Sequence, residues 1–112
     1  MTRRKLLPAG LFAVLLPAVA LANGEVVTVE MVDNEFVPDE LEVTTGTTVR
    51  WVNEASRTFH DVYFPDEDVG SPPRMFPEEA WERTFDEPGT YEYICRPHEG
   101  RGMVGVVHVT DD

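Results

Sequence analysis

From residue 26 onward, apolar and polar positions alternate with a period of two over most of the chain. Val27, Val29 and Met31 alternate with polar neighbours, the pattern of a strand with one buried face. Phe36-Val37-Pro38 breaks the pattern, and Leu41 and Val43 resume it. Gly46 turns the chain between Thr45 and Thr47, and Val49-Arg50-Trp51-Val52 is the next strand. His60 to Phe64 reads as another, with Val62 and Phe64 on the same face as His60. Residues 66–77 hold Gly70, Pro72, Pro73 and Pro77 behind the acidic run Asp66-Glu67-Asp68, and read as a surface loop. Trp81 to Phe85 is extended, with Arg83 on the face that Trp81 and Phe85 should bury. An arginine there is expected to lay its stem on apolar surface and reach water with its head. Asp86-Glu87-Pro88-Gly89 is a turn, Tyr91, Tyr93 and Cys95 share one face of a strand, and Val104 to Val109 closes the domain. With no helical period of useful length, the chain is expected to be all-β, an antiparallel sandwich of six to eight short strands.

The first 22 residues follow a different pattern. Thr2-Arg3-Arg4-Lys5 is basic, Leu6 to Leu21 is an apolar run broken by Pro8, Gly10 and Pro17, and Ala20-Leu21-Ala22 offers small residues at a cleavage site. That arrangement is an export signal of the Sec or twin-arginine type. Its apolar run falls short of the ~20 residues that span a bilayer. Residues 1–22 are expected to be removed, leaving a single domain over 23–112 in the periplasm or another extracytoplasmic space. No stable membrane insertion is expected after removal.

Charge narrows the partners. The chain has 9 basic and 21 acidic residues; loss of Arg3, Arg4 and Lys5 leaves six arginines against 21 acids, a net charge of −15. Nucleic acid and anionic membrane are poor partners for such a surface, and a basic protein is a good one. A dense carboxylate surface also keeps a protein soluble in a saline habitat, and the charge count does not choose between the two.

The chemistry gathers around one residue. Cys95 is the only cysteine, so it forms no internal disulfide. It opens the run Cys95-Arg96-Pro97-His98-Glu99-Gly100-Arg101-Gly102-Met103, which holds a thiol, an imidazole and a thioether within nine residues. His60 lies upstream. Two histidines, one cysteine and a weak methionine are the ligand set of a blue-copper electron-transfer site. His60, Cys95, His98 and Met103 are therefore the candidate metal ligands. Gly100 and Gly102 should allow the tight loop between them, and Pro97 removes one N–H donor near the sulfur.

At these residues the chain resembles a known family. Tyr91-Glu92-Tyr93-Ile94-Cys95-Arg96-Pro97-His98, then Gly100 and Gly102-Met103-Val104-Gly105, is similar to the copper-binding end of plastocyanins and pseudoazurins. Phe36, Pro38, Leu41, Val43, Gly46, Val49, Trp51 and Asn53 are similar to the first half of the cupredoxin fold. The resemblance implies a Greek-key β-sandwich and one copper ion cycling between Cu(I) and Cu(II). It also implies single-electron shuttling between larger redox partners. His60 and His98 match the two histidine ligands, Cys95 the thiolate and Met103 the axial thioether. His98 should be the electron's exit, with Phe59, Pro97 and Gly100 around it. Phe64-Pro65-Asp66-Glu67-Asp68 looks like an acidic docking patch, which suits a basic redox partner such as a c-type cytochrome. The chain departs from the family at Ile94, where plastocyanins carry a tyrosine, and at Asp61 and Arg96, which flank ligands in adjoining loops. Those two are expected to form an ion pair bracing the loops.

Other residues weigh less. His108, between Val107 and Val109, should point outward. Met31 and Met75 should serve packing, and Glu78-Glu79 is one acidic pair among many. The expected function is a monomeric electron carrier and not an enzyme, because a copper enzyme needs further open-coordination metal and no second histidine cluster is present. The alternative is a periplasmic protein that stores or delivers copper.

Overall fold

In a computed structural model, the protein is described over residues 18–19 and 25–111. The expected export signal over 1–22 lies outside the described residues, apart from Ala18–Val19. Among the described residues, ten short strands carry the fold: β1 (Ala18–Val19), β2 (Val26–Val32), β3 (Glu35–Val37), β4 (Glu40–Thr44), β5 (Thr47–Asn53), β6 (Tyr63–Phe64), β7 (Val69–Gly70), β8 (Ala80–Phe85), β9 (Gly89–Ile94) and β10 (Val104–Thr110). One sheet has the order β3-β2-β5-β8 and the other β1-β4-β10-β9-β6-β7.

The sandwich is the expected one, but its sheets are mixed rather than antiparallel. β2 runs parallel to β5, with Val29 opposite Trp51, and β4 runs parallel to β10, with Leu41 opposite Val107. Strands that meet as neighbours without following each other in sequence are joined by crossovers, and a crossover sets no antiparallel constraint. The pairs β2/β3, β5/β8, β9/β10, β6/β7 and β6/β9 are antiparallel.

Alternation predicts the core well where strands are long. In β5, Thr47, Val49, Trp51 and Asn53 are buried while Thr48, Arg50 and Val52 are less so. Trp51 sits at the centre, edge-on to Tyr93, Phe64 and Phe85 at 5.3, 5.9 and 6.5 Å between ring centres. Such aromatic pairs add ~0.5–1.5 kcal/mol each beyond the area they bury.

Arg83 does more than snorkel. Its guanidinium lies over the rings of Phe64, Phe85 and Tyr91 at 4.5, 4.7 and 5.1 Å. It also donates two hydrogen bonds to the Glu67 carboxylate, at 2.9 and 2.8 Å, which holds Glu67 below its ordinary range. An arginine on a half-buried face is thus satisfied by ring faces on one side and a carboxylate at the rim. The contact also pins the acidic 65–68 turn to the sheet.

Candidate metal centre

The second half of the site is one loop closed on itself. Ile94 of β9 and Val104 of β10 face each other across the ladder, so the residues between them must reverse direction. They do so through a short 3₁₀ turn, Arg96–Arg101, with Pro97 in its first turn and Gly102 ending it at φ 83°. A left-handed φ of that size favours glycine, so Gly102 meets the sequence expectation. Gly100 does not: its φ is not positive and an added Cβ would meet nothing, so the loop makes no demand for glycine there. The His98 N–H donates to the Cys95 carbonyl (3.0 Å), the Met103 N–H to the His98 carbonyl (3.3 Å) and the Cys95 N–H to the Met103 carbonyl (3.1 Å). The three backbones are tied in a ring, with Cys95 and Met103 fully buried.

His60 is not held in a strand, as its alternating neighbours suggest. His60, Asp61 and Val62 are all buried in succession, which no regular strand with a solvated face permits. The segment is instead pinned by a single antiparallel bridge to Met75, with N–H to carbonyl bonds of 3.2 and 2.9 Å in the two directions. Asn53, at the end of β5, organises this region. Its Nδ2 donates to the carbonyls of Thr58 (2.9 Å) and Met75 (2.8 Å), and its Oδ1 accepts from the Ala55 N–H (2.9 Å). Ser71 accepts from the Val62 N–H at 3.0 Å and donates to the Pro72 carbonyl. Nothing in the local pattern marks Asn53 or Ser71 as positioning residues; an amide on the buried face at a strand end is the available signal.

These ties bring three donor atoms together from positions up to 38 residues apart. The Cys95 sulfur lies 3.7 Å from His60 Nδ1 and 3.4 Å from His98 Nδ1, and the donor atoms all fall within 4.8 Å of one another. Among the described residues this is the one group of His, Cys, Asp and Glu side chains close enough to hold a metal ion. Metal–sulfur bonds of ~2.3 Å and metal–imidazole bonds of ~2.0–2.1 Å, opened to roughly 110–120°, require S···N separations of about 3.6–3.8 Å. The 3.7 Å separation to His60 falls in that range, and the 3.4 Å separation to His98 is about 0.2 Å short of it. His60 Nε2 is buried with no hydrogen-bond partner among the described residues, so the ring is held by packing and its Nδ1 side.

Electrostatics favour a neutral imidazole at rest. Burial, with the nearby His98 ring adding to it, holds His60 below the ordinary histidine value of 6.5. Burial also pushes the Cys95 thiol above its ordinary value, against hydrogen bonding from the Asp61 and His98 backbones. A metal entering the site would displace the proton of this thiol.

The expected ion pair between the ligand loops is present. Asp61, 1% exposed, accepts from the Arg96 backbone N–H at 2.8 Å and from Arg96 Nε at 2.6 Å. His98 is half-buried, whereas Phe59, Pro97 and Gly100 are exposed. Phe76, which no sequence pattern singles out, joins them: its exposed ring meets Phe59 edge-on at 5.8 Å while Arg74 covers Phe59 at 5.2 Å. Met31 and Met75 are buried in the core. His108 faces outward, with Nε2 2.9 Å from Glu40 and Nδ1 3.4 Å from Thr90. Glu79 accepts from the Phe76 N–H at 2.9 Å, a turn contact.

Three comparisons bear on this geometry. Residues 24–110 match the family described as copper binding proteins, plastocyanin/azurin family. A plastocyanin of Scenedesmus fuscus is 34% identical over 84 residues, covering 66% of this chain and 85% of that protein. An amicyanin of Paracoccus denitrificans is 36% identical over 85 residues, covering 72% of this chain and 63% of that protein. A solved structure of an oxidised amicyanin variant superposes with a TM-score of 0.67 at 34% identity, covering 74% of this chain and 80% of that one.

Proposed function

Because the chain belongs to the plastocyanin/azurin family of copper-binding proteins, we propose that it is a one-electron carrier whose copper ion is held by His60, Cys95, His98 and Met103. The observation that carries this reading is the convergence of one sulfur and two imidazole nitrogens, with His60 and Cys95 fully buried. Copper in such a ligand set supplies a Cu(I)/Cu(II) couple.

The protein's own part is to keep the donors still. The backbone ring through Cys95, His98 and Met103, the Met75 bridge to His60 and the Asn53 contacts fix each ligand residue independently of the metal. Little has to move when the charge at the centre changes, which is what fast transfer needs. His98 is the ligand nearest solvent and serves as the electron's exit, with the exposed Phe59 and Phe76 supplying apolar surface near the ligand loops. In the proposed ligand set all four positions belong to side chains and none is left open for a substrate, which supports a carrier over an enzyme. Burial of Cys95 and His60 favours a carrier over a storage or delivery protein, whose ligands must exchange.

The partner in this reading is a basic redox protein such as a c-type cytochrome, drawn by the net charge of −15 that remains after removal of residues 1–22. The mature domain spans 23–112 and works as a monomer outside the cytoplasm. Among the described residues, no helix is long and apolar enough to cross a membrane.

The test is to add Cu(II) to the purified protein and record its visible spectrum and voltammogram, beside Cys95→Ser. An intense thiolate-to-copper band and a reversible one-electron wave, both lost in the variant, are expected. A pale wild-type spectrum points to delivery, and a Cys95→Ser protein that stays blue overturns the ligand set.

A further inference from the structure

We propose that Asp61 and Arg96 form a charge-balanced clamp that both spaces the two ligand loops and sets the reduction potential of the centre. The inference rests on the ligand assignment above and deepens it.

Position makes the case. Asp61 follows His60 and Arg96 follows Cys95, so one contact joins loops 35 residues apart at the residues next to two ligands. The Asp61 carboxylate is 1% exposed and takes both a backbone and a side-chain donor from the same arginine. A buried carboxylate with only a neutral donor would be costly, and Arg96 offsets that cost. Arg96 is itself braced from outside. Its guanidinium lies 4.3 Å from the centre of the Tyr63 ring, and the Tyr63 hydroxyl donates to Asp68 at 2.7 Å. Tyr63 stands opposite Ile94, the residue before Cys95, so the brace closes back on the same strand end. Four side chains, Asp68, Tyr63, Arg96 and Asp61, thus run from the acidic turn to the edge of the ligand set.

Charge separates this role from a purely mechanical one. A carboxylate beside the centre favours the more positive, oxidised ion and lowers the potential, while the guanidinium opposes it. Removing either charge alone should therefore move the potential in opposite directions. Loss of a mechanical brace would move both variants the same way.

The experiment is a double-mutant cycle with Asp61→Asn, Arg96→Gln and the double variant, with Arg96→Lys as a fourth protein. In Asp61→Asn the amide oxygen can still accept from the Arg96 backbone N–H, and Arg96→Lys keeps the charge while losing the Nε donor. Voltammetry of the copper-loaded proteins should show a lower potential in Arg96→Gln, a higher one in Asp61→Asn, and one near wild type in the double variant and in Arg96→Lys. Amide exchange of the apoproteins should quicken over 60–62 and 95–103 in both Arg96 variants. In urea melts of the apoproteins, Arg96→Gln should lose more stability than the double variant. Single-variant potentials that shift together, or stay at the wild-type value, overturn the charge role. Additive apoprotein stabilities with unchanged exchange overturn the clamp. The apoprotein readouts need no copper, so they stand apart from any failure of the ligand set, which would show as a missing thiolate band in the wild type.

Discussion

Gly105→Ala should be strongly destabilising although it adds one methyl group to a strand. Gly105 lies in β10 directly opposite Tyr93 of β9. A Cβ at this position would stand 2.5 Å from the Tyr93 hydroxyl oxygen and 2.8 Å from Cε2, and would collide with Cζ. The ring cannot step aside, because Phe36, Trp51 and Phe64 hold it at centre-to-centre distances of 4.7, 5.3 and 5.3 Å and it has no exposed surface. Two effects oppose each other. Replacing glycine reduces the freedom of the unfolded chain and stabilises by ~0.4–1 kcal/mol. Overpacking a filled core costs ~1–3 kcal/mol, sometimes more. The clash wins here, since the obstructing atoms belong to a jammed ring rather than the tip of a flexible side chain. The difference is a net loss of about 1–2.5 kcal/mol when the clash is in the upper part of that range, and at ~4–8 °C per kcal/mol for a domain of this size it lowers Tm by about 4–20 °C. Thermal melts of the apoprotein followed by circular dichroism measure it. The same substitution in a Tyr93→Leu background should cost little, because the ring that blocks the Cβ is gone. An unchanged Tm in the wild-type background, or an equal loss in the Tyr93→Leu background, would refute the reasoning.

Met103→Gln should retain copper and show a lower reduction potential by voltammetry, since an amide oxygen stabilises Cu(II) more than a thioether does; an unchanged or raised potential would remove Met103 from the axial position. Arg83→Met should destabilise by about 1–2 kcal/mol in urea melts, because the guanidinium packs on three rings and the side chain is only 18% exposed, and a loss under about 0.3 kcal/mol would reduce those contacts to incidental ones. The apoprotein should weaken as pH falls through 6.5, because the unfolded chain then takes up a proton that His60 in the folded state resists. His60→Gln should flatten that stretch of a Tm-against-pH curve, and an unaltered slope would locate the effect elsewhere. On the alkaline side, Cys95 is raised above 9, so its contribution is complete below that pH and is lost as pH climbs past it.

Much of the site is legible in the sequence because it is local. Cys95, His98 and Met103 fall within one loop of nine residues between paired strand ends, so their closeness in the chain keeps them near one another. The link between Asp61 and Arg96 is legible for a related reason: each adjoins a candidate ligand, so convergence of His60 and Cys95 carries the neighbours along. His60 stands out as a candidate ligand while its backbone does not read correctly, because 60–62 are buried in succession and periodicity has nothing to report there. Arg83 looks like a defect in its strand until the rings of Phe64, Phe85 and Tyr91 supply a surface for it. Phe64 and Tyr91 lie on strands other than its own, and only packing brings them to it.

The same division holds for the fold. By itself the sequence determined most of the strands and which face of each is buried, since a period of two is written in adjacent residues and needs no partner to be read. It also pointed to copper, through a lone cysteine with two histidines and a methionine at these spacings. The tertiary structure alone decided that β2 lies beside β5 and β4 beside β10 in parallel, that Asn53 anchors both the 54–59 loop and the Met75 bridge, and that Gly105 must stay bare beneath Tyr93. Those outcomes depend on which surfaces meet once both sheets are packed, and distant segments settle that together through volume and hydrogen bonding rather than through any local pattern.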